Sequence, residues 1–309
     1  MCSLHDYREL IFAKANTYTM NNDDDSPSFA RRAKELISNT LSRKVRPIPY
    51  KLLRPLDIVG VHERTLLRYY PQFKFAPDCE PLNKPICIVL FTNRSGSSLI
   101  GEHMRASNRF SGFGEPLNHK LVIKRSDREG IKSFPDYLRW ELENVGREGC
   151  MFGMKSSYSQ AMMLVRSGAV PRFFNDVRWV ILRRRDILSQ AISFSIAFQT
   201  KQWSSKVAQE QSTVQYNFQD IEQRLKNLTV AYNAMDAFCE EQGVDPYRIV
   251  YEDFALDPIQ GARDLAAHLG VTDVDFDHSE LKMRKQRNEL SEEFRQKFLE
   301  EYRGPLLGA

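Results

Sequence analysis

The chain has 309 residues, with 44 Lys+Arg against 40 Asp+Glu, a formal charge of +4. Its 42% hydrophobic residues and 19 Phe exclude wholesale disorder, and 15 Gly with 14 Pro exclude a collagen-like or low-complexity chain. The near balance of charge excludes a general polyanion coat, so no nucleic-acid partner is expected and any anion binding must be local.

The N-terminus reads MCSLHDYREL, acidic from the start and without an apolar signal region. The longest uncharged apolar runs, such as 86–91, are too short to span a bilayer. The expectation is a soluble, cytoplasmic protein. Residues 1–82 read as an N-terminal extension, mostly helical or irregular. Asn22 to Ser26 (NDDDS) caps a helix predicted over 27–41. The stretch 43–81, rich in Pro and basic residues, reads as irregular wrapping over the surface.

A second region, 83–309, has a different character. Pro85 precedes the run ICIVLF (86–91), bounded by breakers, which predicts a buried strand of a parallel sheet. The loop Thr92-Asn93-Arg94-Ser95-Gly96-Ser97-Ser98 and a helix follow. Further strands are predicted at 151–154, 179–182 and 247–251. Helices are predicted at 186–198 and 257–269, the second stopped by Gly270. Strands alternating with helices predict an α/β class with a central parallel sheet.

A strand, a Gly/Ser turn and a helix form an anion cradle, because backbone N–H groups at the helix start point at the ligand. Ser97 and Ser98 add hydroxyl donors, and Arg94 adds a guanidinium fork. The loop lacks the G-x-x-x-x-G-K-[ST] pattern, which disfavours a nucleotide triphosphatase. Gly112-Phe113-Gly114 lacks a third glycine, since position 117 is Leu, so a dinucleotide fingerprint is rejected. A G-x-S-x-G elbow is also absent. The strand at 179–182 ends in Arg183-Arg184-Arg185, at the strand edge where α/β proteins bind ligands. Arg184 and Ser193 are placed to converge on one phosphate. The odd number of cysteines, with no C-x-x-C, fits neither a disulfide framework nor a zinc site. With no H-E-x-x-H either, no metal is expected.

These pieces resemble sulfotransferases that use 3′-phosphoadenosine 5′-phosphosulfate (PAPS). In that superfamily a (K/R)-S-G-(S/T)-(S/T) loop holds the 5′-phosphosulfate, and an Arg followed eight or nine residues later by Ser holds the 3′-phosphate. Arg94, Ser95, Gly96, Ser97 and Ser98 match the first element, and Arg184 with Ser193 match the second. The segments NRSGSSLI, FGEPLNH, FGMKSSYSQ, RRRDILSQAISFSIAFQTKQW and KQRNELSEEF are similar to the bacterial family containing mycobacterial trehalose 2-sulfotransferase. GEPLNH is also similar to the E-P-x-x-H of animal galactose and N-acetylglucosamine 6-sulfotransferases. The trehalose enzymes read G-E-P-x-E there, and their later glutamate has been taken as base. Here that position is Asn118, which cannot take a proton, while Glu115 is retained; nodulation-factor sulfotransferases share G-E-x-x-N.

The resemblance implies a P-loop-like three-layer α/β/α fold, with PAPS as donor and a carbohydrate or glycolipid hydroxyl as acceptor. The implied general base is Glu115, with His119 as alternative because its pKa suits neutral pH. Arg94 and Lys155 are candidates to stabilise charge on the bridging oxygen. Gln199 and Trp203 fall in the piece implied to line the acceptor cleft, with core packing the other reading of Trp203; Lys285 and Gln286 fall where the family closes over the nucleotide, but with Arg284 and Arg287 they read first as a solvated charge run. A homodimer is common in that family. The extension is compatible with an acceptor lid, a dimer arm or a peripheral membrane contact. Two other readings stay open: a non-catalytic nucleotide or sulfated-glycan binding protein, and a P-loop kinase-like phosphotransferase.

Overall fold

The computed structural model of the protein describes residues 55–202, 214–281 and 289–307. By packing, the chain divides into residues 1–49 and 50–309. The first unit, with the NDDDS cap and the 27–41 helix, lies outside the described residues. So do Trp203, Lys285 and Gln286.

Among the described residues, five strands form one parallel sheet: β1 (Ile86–Leu90), β2 (Phe110–Gly114), β3 (Met151–Ser156), β4 (Val177–Arg183) and β5 (Tyr247–Val250), in the order β2-β3-β1-β4-β5. Central β1 is buried at every position, as its unbroken apolar run requires. Side chains alternate across a strand, so Ile86, Ile88 and Leu90 enter one core and Cys87, Val89 and Phe91 the other.

The first core is covered by α1 (Val61–Tyr69), α3 (His119–Glu129), α4 (Phe134–Asn144), α5 (Tyr158–Ser167) and α7 (Phe218–Gln242). The second is covered by α2 (Ser97–Arg105), α8 (Tyr251–Phe254) and α9 (Pro258–His268). A third cluster joins α6 (Ile187–Thr200) and α7 to α10 (Glu289–Leu307) through Ile192, Leu228, Phe294 and Phe298. Helices on both faces of a parallel sheet give the expected three-layer α/β/α architecture. No helix among the described residues is long and apolar enough to cross a membrane.

Three sequence expectations change. The stretch read as surface wrapping contains α1, and Leu66, Tyr70, Phe73 and Phe75 behind it are buried in the first core. The missed signal is the helical spacing of Glu63, Leu66 and Tyr70 among charged residues. Second, Gly112-Phe113-Gly114 lies inside strand β2, where two glycines hide the alternation of a strand. Gly112 (φ 78°) and Phe113 (φ 52°) form a bulge, and a Cβ at Gly112 would lie 2.4 Å from the Gly153 carbonyl oxygen. Phe113 turns inward onto Gly153, so Glu115 follows at the strand's end. Third, the three arginines at the end of β4 do not act together. Arg183 pairs with Asp236 and Arg185 with Asp253, which leaves Arg184 turned to the loop after β1.

Candidate active site

Four neighbouring strands deliver four charged residues to one edge. In sheet order these are Glu115 after β2, Lys155 near the end of β3, Arg94 after β1 and Arg184 after β4. β1 runs into α2 on one face, whereas β4 runs into α6, whose Ile187 packs on the other core. Such a divergence opens a crevice at the carboxyl ends of the strands.

The loop after β1 is shaped by two left-handed residues, Arg94 (φ 62°) and Gly96 (φ 94°). Only glycine fits at position 96, because a Cβ there would lie 2.0 Å from the Tyr251 ring. Gln190 of α6 pins the loop from behind, donating to Thr92 Oγ1 and the Asn93 carbonyl at 2.7 Å each. Its own carbonyl accepts from the Tyr232 hydroxyl at 2.7 Å. Ser97 and Ser98 open α2, so their N–H groups have no intrahelical acceptor. Ser95 Oγ is buried with no hydrogen-bond partner.

Arg94 and Arg184 meet beside this loop. Arg184 Nη1 donates to the Arg94 carbonyl at 3.3 Å, and Arg94 Nε donates to Ser193 Oγ at 3.0 Å. Burial, and then the charge of Arg184, pull the Arg94 guanidinium below its ordinary pKa. Arg184 lies over the Tyr251 ring at 4.6 Å, and its Nε is 3.5 Å from Glu252 Oε1, an ion-pair distance too long for a hydrogen bond. Burial pushes the Glu252 carboxyl up, but N–H bonds from Arg185 and Asp186 and the charge of Arg184 hold it below its ordinary value. Ser189, one turn before Ser193, is engaged elsewhere: it donates to Asp186 and accepts from Arg295 at 3.0 Å.

On the other side of β1, Lys155 Nζ is 3.1 Å from Glu115 Oε1. Lys155 is 6% exposed, and burial pulls its ammonium below the ordinary lysine value while Glu115 opposes that shift. Lys155 therefore buttresses Glu115 instead of standing free in the crevice. Asn118 caps α3, its side chain accepting from the Lys120 N–H. His119, the first residue of α3, contacts His62 of α1 at 2.9 Å between Nδ1 atoms. His62 falls in the stretch taken for extension, and no motif signals it. His103 is a buried helix residue bonded to the Leu99 carbonyl, and the sequence candidate Gln199 binds the Gln215 backbone. Among the described residues no group of three His, Cys, Asp or Glu could hold a metal. A cavity lined by Lys84, Ser111 and Cys150 lies at the amino ends of the strands, away from this edge.

The edge combines two adjoining guanidiniums, unsatisfied helix N–H groups and an orphan hydroxyl with a lysine-bound carboxylate. Groups of these kinds can bind anionic oxygens on one side and take up a proton on the other. The residues fit a nucleotide carrying several phosphate-like groups.

Residues 160–301 match the family model described as Stf0 sulphotransferase. That stretch holds Arg184 and Ser193 but neither the loop after β1 nor Glu115. No curated protein matches the chain. Among solved structures, a sulfotransferase from Alicyclobacillus acidocaldarius is 18% identical, over 71% of this chain and 92% of that one, with a TM-score of 0.43. A sulfotransferase domain from the curacin biosynthetic pathway is 15% identical, over 67% and 80%, with a TM-score of 0.40. The sulfotransferase domain of the Synechococcus PCC 7002 olefin synthase is 17% identical, over 69% and 82%, with a TM-score of 0.38.

Proposed function

We propose that the chain is a sulfotransferase that moves a sulfuryl group from PAPS to a hydroxyl of a carbohydrate or glycolipid acceptor. The observation that carries this reading is the meeting of Arg94 and Arg184 at the ends of adjacent strands, within reach of Ser193 and the loop 94–98. Two cations held this close repel, and a bound polyanion removes the cost. The family-model match over 160–301 supports the transferase class, and the G-E-P segment supports a glycan acceptor.

When bound, PAPS supplies a sulfuryl group activated by its phosphate leaving group. The start of α2 and the hydroxyls of Ser95, Ser97 and Ser98 would cradle its 5′ end. Arg184 and Ser193 would take the 3′-phosphate, with Arg94 between the two ends. Transfer forms the acceptor O–S bond and breaks the S–O bond to the 5′-phosphate, whose electron pair leaves with adenosine 3′,5′-bisphosphate. Catalysis of this type rests on position and electrostatics, as in phosphoryl transfer. Glu115 takes the acceptor's hydroxyl proton on the oxygen that Lys155 does not hold. Lys155, with further N–H bonds to give, steadies charge at the reacting centre. The loop carries no lysine of the triphosphatase kind, which weighs against a kinase-like reaction.

The test is transfer of labelled sulfate from PAPS to a panel of lipopolysaccharide, glycolipid, polysaccharide and chitooligosaccharide acceptors, with Glu115→Gln beside the wild type. Transfer by the wild type that the variant loses supports the reading. Undiminished transfer by Glu115→Gln removes Glu115 as base, and no transfer to any acceptor overturns the proposal.

A further inference from the structure

The contact between His62 and His119 has a property that follows from hydrogen-bond chemistry alone. His62 Nδ1 faces two groups: the backbone N–H of His119 at 3.1 Å and His119 Nδ1 at 2.9 Å. A backbone N–H can only donate, so His62 Nδ1 must carry a lone pair. The short contact between the two Nδ1 atoms then needs its proton on His119. Neutral His119 with a proton on Nδ1 has its lone pair on Nε2. Two imidazoles linked in this way cannot both be protonated.

The surroundings favour that state. Burial, and then the neighbouring His119, pull His62 below the ordinary histidine pKa, while Glu115 opposes them. His119 is the first residue of α3. The rings sit 4.9 Å apart, tilted by 54°. Lys120 and Lys124 on α3 and Arg64 and Arg68 on α1 are the other basic groups near the pair, and Lys120 is exposed. Glu63, next on α1, is held by Arg166, and Lys155 is bound to Glu115. Burial at the start of α5 raises the Tyr158 hydroxyl above its ordinary value of 10, so it stays neutral.

We infer that His62 is a positioning residue, which fixes His119 in the tautomer with an open Nε2 lone pair and so keeps a neutral proton acceptor four residues after Glu115. This rests on the proposed transfer. There the acceptor's proton goes to Glu115 as the O–S bond forms, and Glu115 must shed it before the next turnover. His119 Nε2 receives it, directly or through one water. The helix α1, which carries His62, thereby becomes part of the site. Its packing on α3 sets the protonation pattern.

The test reads the tautomer directly, by ¹⁵N-edited NMR correlation of the histidine ring nitrogens with their carbon-bound protons. His119 is assigned by loss of its signals in His119→Gln. The wild type should show His119 protonated at Nδ1. His62→Asn, whose amide oxygen can accept the same bonds, should keep that pattern. His62→Ala should shift His119 toward the Nε2–H form favoured by a free imidazole. In transfer assays His62→Ala should lower kcat about tenfold or more and move the acidic limb of its pH profile, while His62→Asn rescues both. Thermal melts of both variants separate this effect from misfolding. An Nε2–H tautomer in the wild type, or a tautomer unmoved in His62→Ala, overturns the assignment of His62. The expected tautomer with no transfer to any acceptor overturns the proposed function instead.

Discussion

The Lys155 ammonium lies 3.1 Å from Glu115 Oε1, joining the end of β3 to the turn that leaves β2. The two partners are unequal: the Lys155 side chain is 8% exposed and that of Glu115 43%. Desolvation falls on the lysine, and the carboxylate keeps one side open to the crevice.

Replacing Lys155 with methionine should therefore separate stability from function. The lysine pKa is lowered in the fold, so near neutral pH its charge is held at a cost, and that cost disappears as pH rises toward the ordinary value of 10.5. Lys155→Met should melt no lower than the wild type at pH 7. Any advantage it has should shrink by pH 10, and sulfuryl transfer should fall by at least about tenfold. Melting curves at the two pH values, beside transfer assays, check this. A variant much less stable at pH 7 would show the pair to be structural.

Arg184→Lys should behave as a loss. The guanidinium bonds the Arg94 carbonyl while stacked over Tyr251, and an ammonium cannot do both. A charged hydrogen bond of this kind contributes about 1.5–3 kcal/mol, so PAPS affinity should drop by about ten- to a hundredfold. Titration calorimetry with the bisphosphate product reads it. Equal affinity in the variant would remove Arg184 from the nucleotide site.

Gly96→Ala should unfold the loop after β1. The new methyl meets Tyr251, and φ of 94° is unfavourable for any residue with a Cβ. Adding Tyr251→Ala makes room but leaves the dihedral penalty of about 1–2 kcal/mol, and it removes the ring beneath Arg184. Melting temperature should recover only in part in the double variant, and nucleotide binding should not recover.

Asp186 caps α6 and receives Arg295 from α10. Burial pushes its carboxyl up, but bonds from the N–H and hydroxyl of Ser189 and from Arg295 carry it below its ordinary 3.8. Its stabilising contribution is thus complete above about pH 5 and is lost as pH falls through the lowered value. Asp186→Asn should melt lower than the wild type at pH 7, and the gap between the two should close as pH falls below 3.8.

Much of this edge was legible in the sequence. The run 86–91, the loop 94–98 and the strand ending in Arg184 are local signals, and the fold brings them together because β1 and β4 pair directly. The parts that stayed hidden depend on tertiary contacts. Strand β2 holds its register through a bulge closed by Gly112 and Gly153, which leaves no alternating pattern to read. His62 sits in a mixed polar helix and gains meaning only when α1 packs on α3. The fate of the arginine triplet is likewise tertiary: Asp236, Glu252 and Asp253, about 50 to 70 residues downstream, each lie at ion-pair distance from one of its members.

In the proposed reading Arg94, Arg184 and the loop between β1 and α2 hold one PAPS-like nucleotide. The most direct test is thermal unfolding with adenosine 3′,5′-bisphosphate, against ATP with Mg²⁺. A ligand at a hundred times its Kd adds about 2.7 kcal/mol to the native state. The melting temperature should rise clearly with the bisphosphate, lose that rise in Arg94→Met and Arg184→Ala, and rise little with ATP. Stabilisation by ATP with Mg²⁺ and none by the bisphosphate would contradict it.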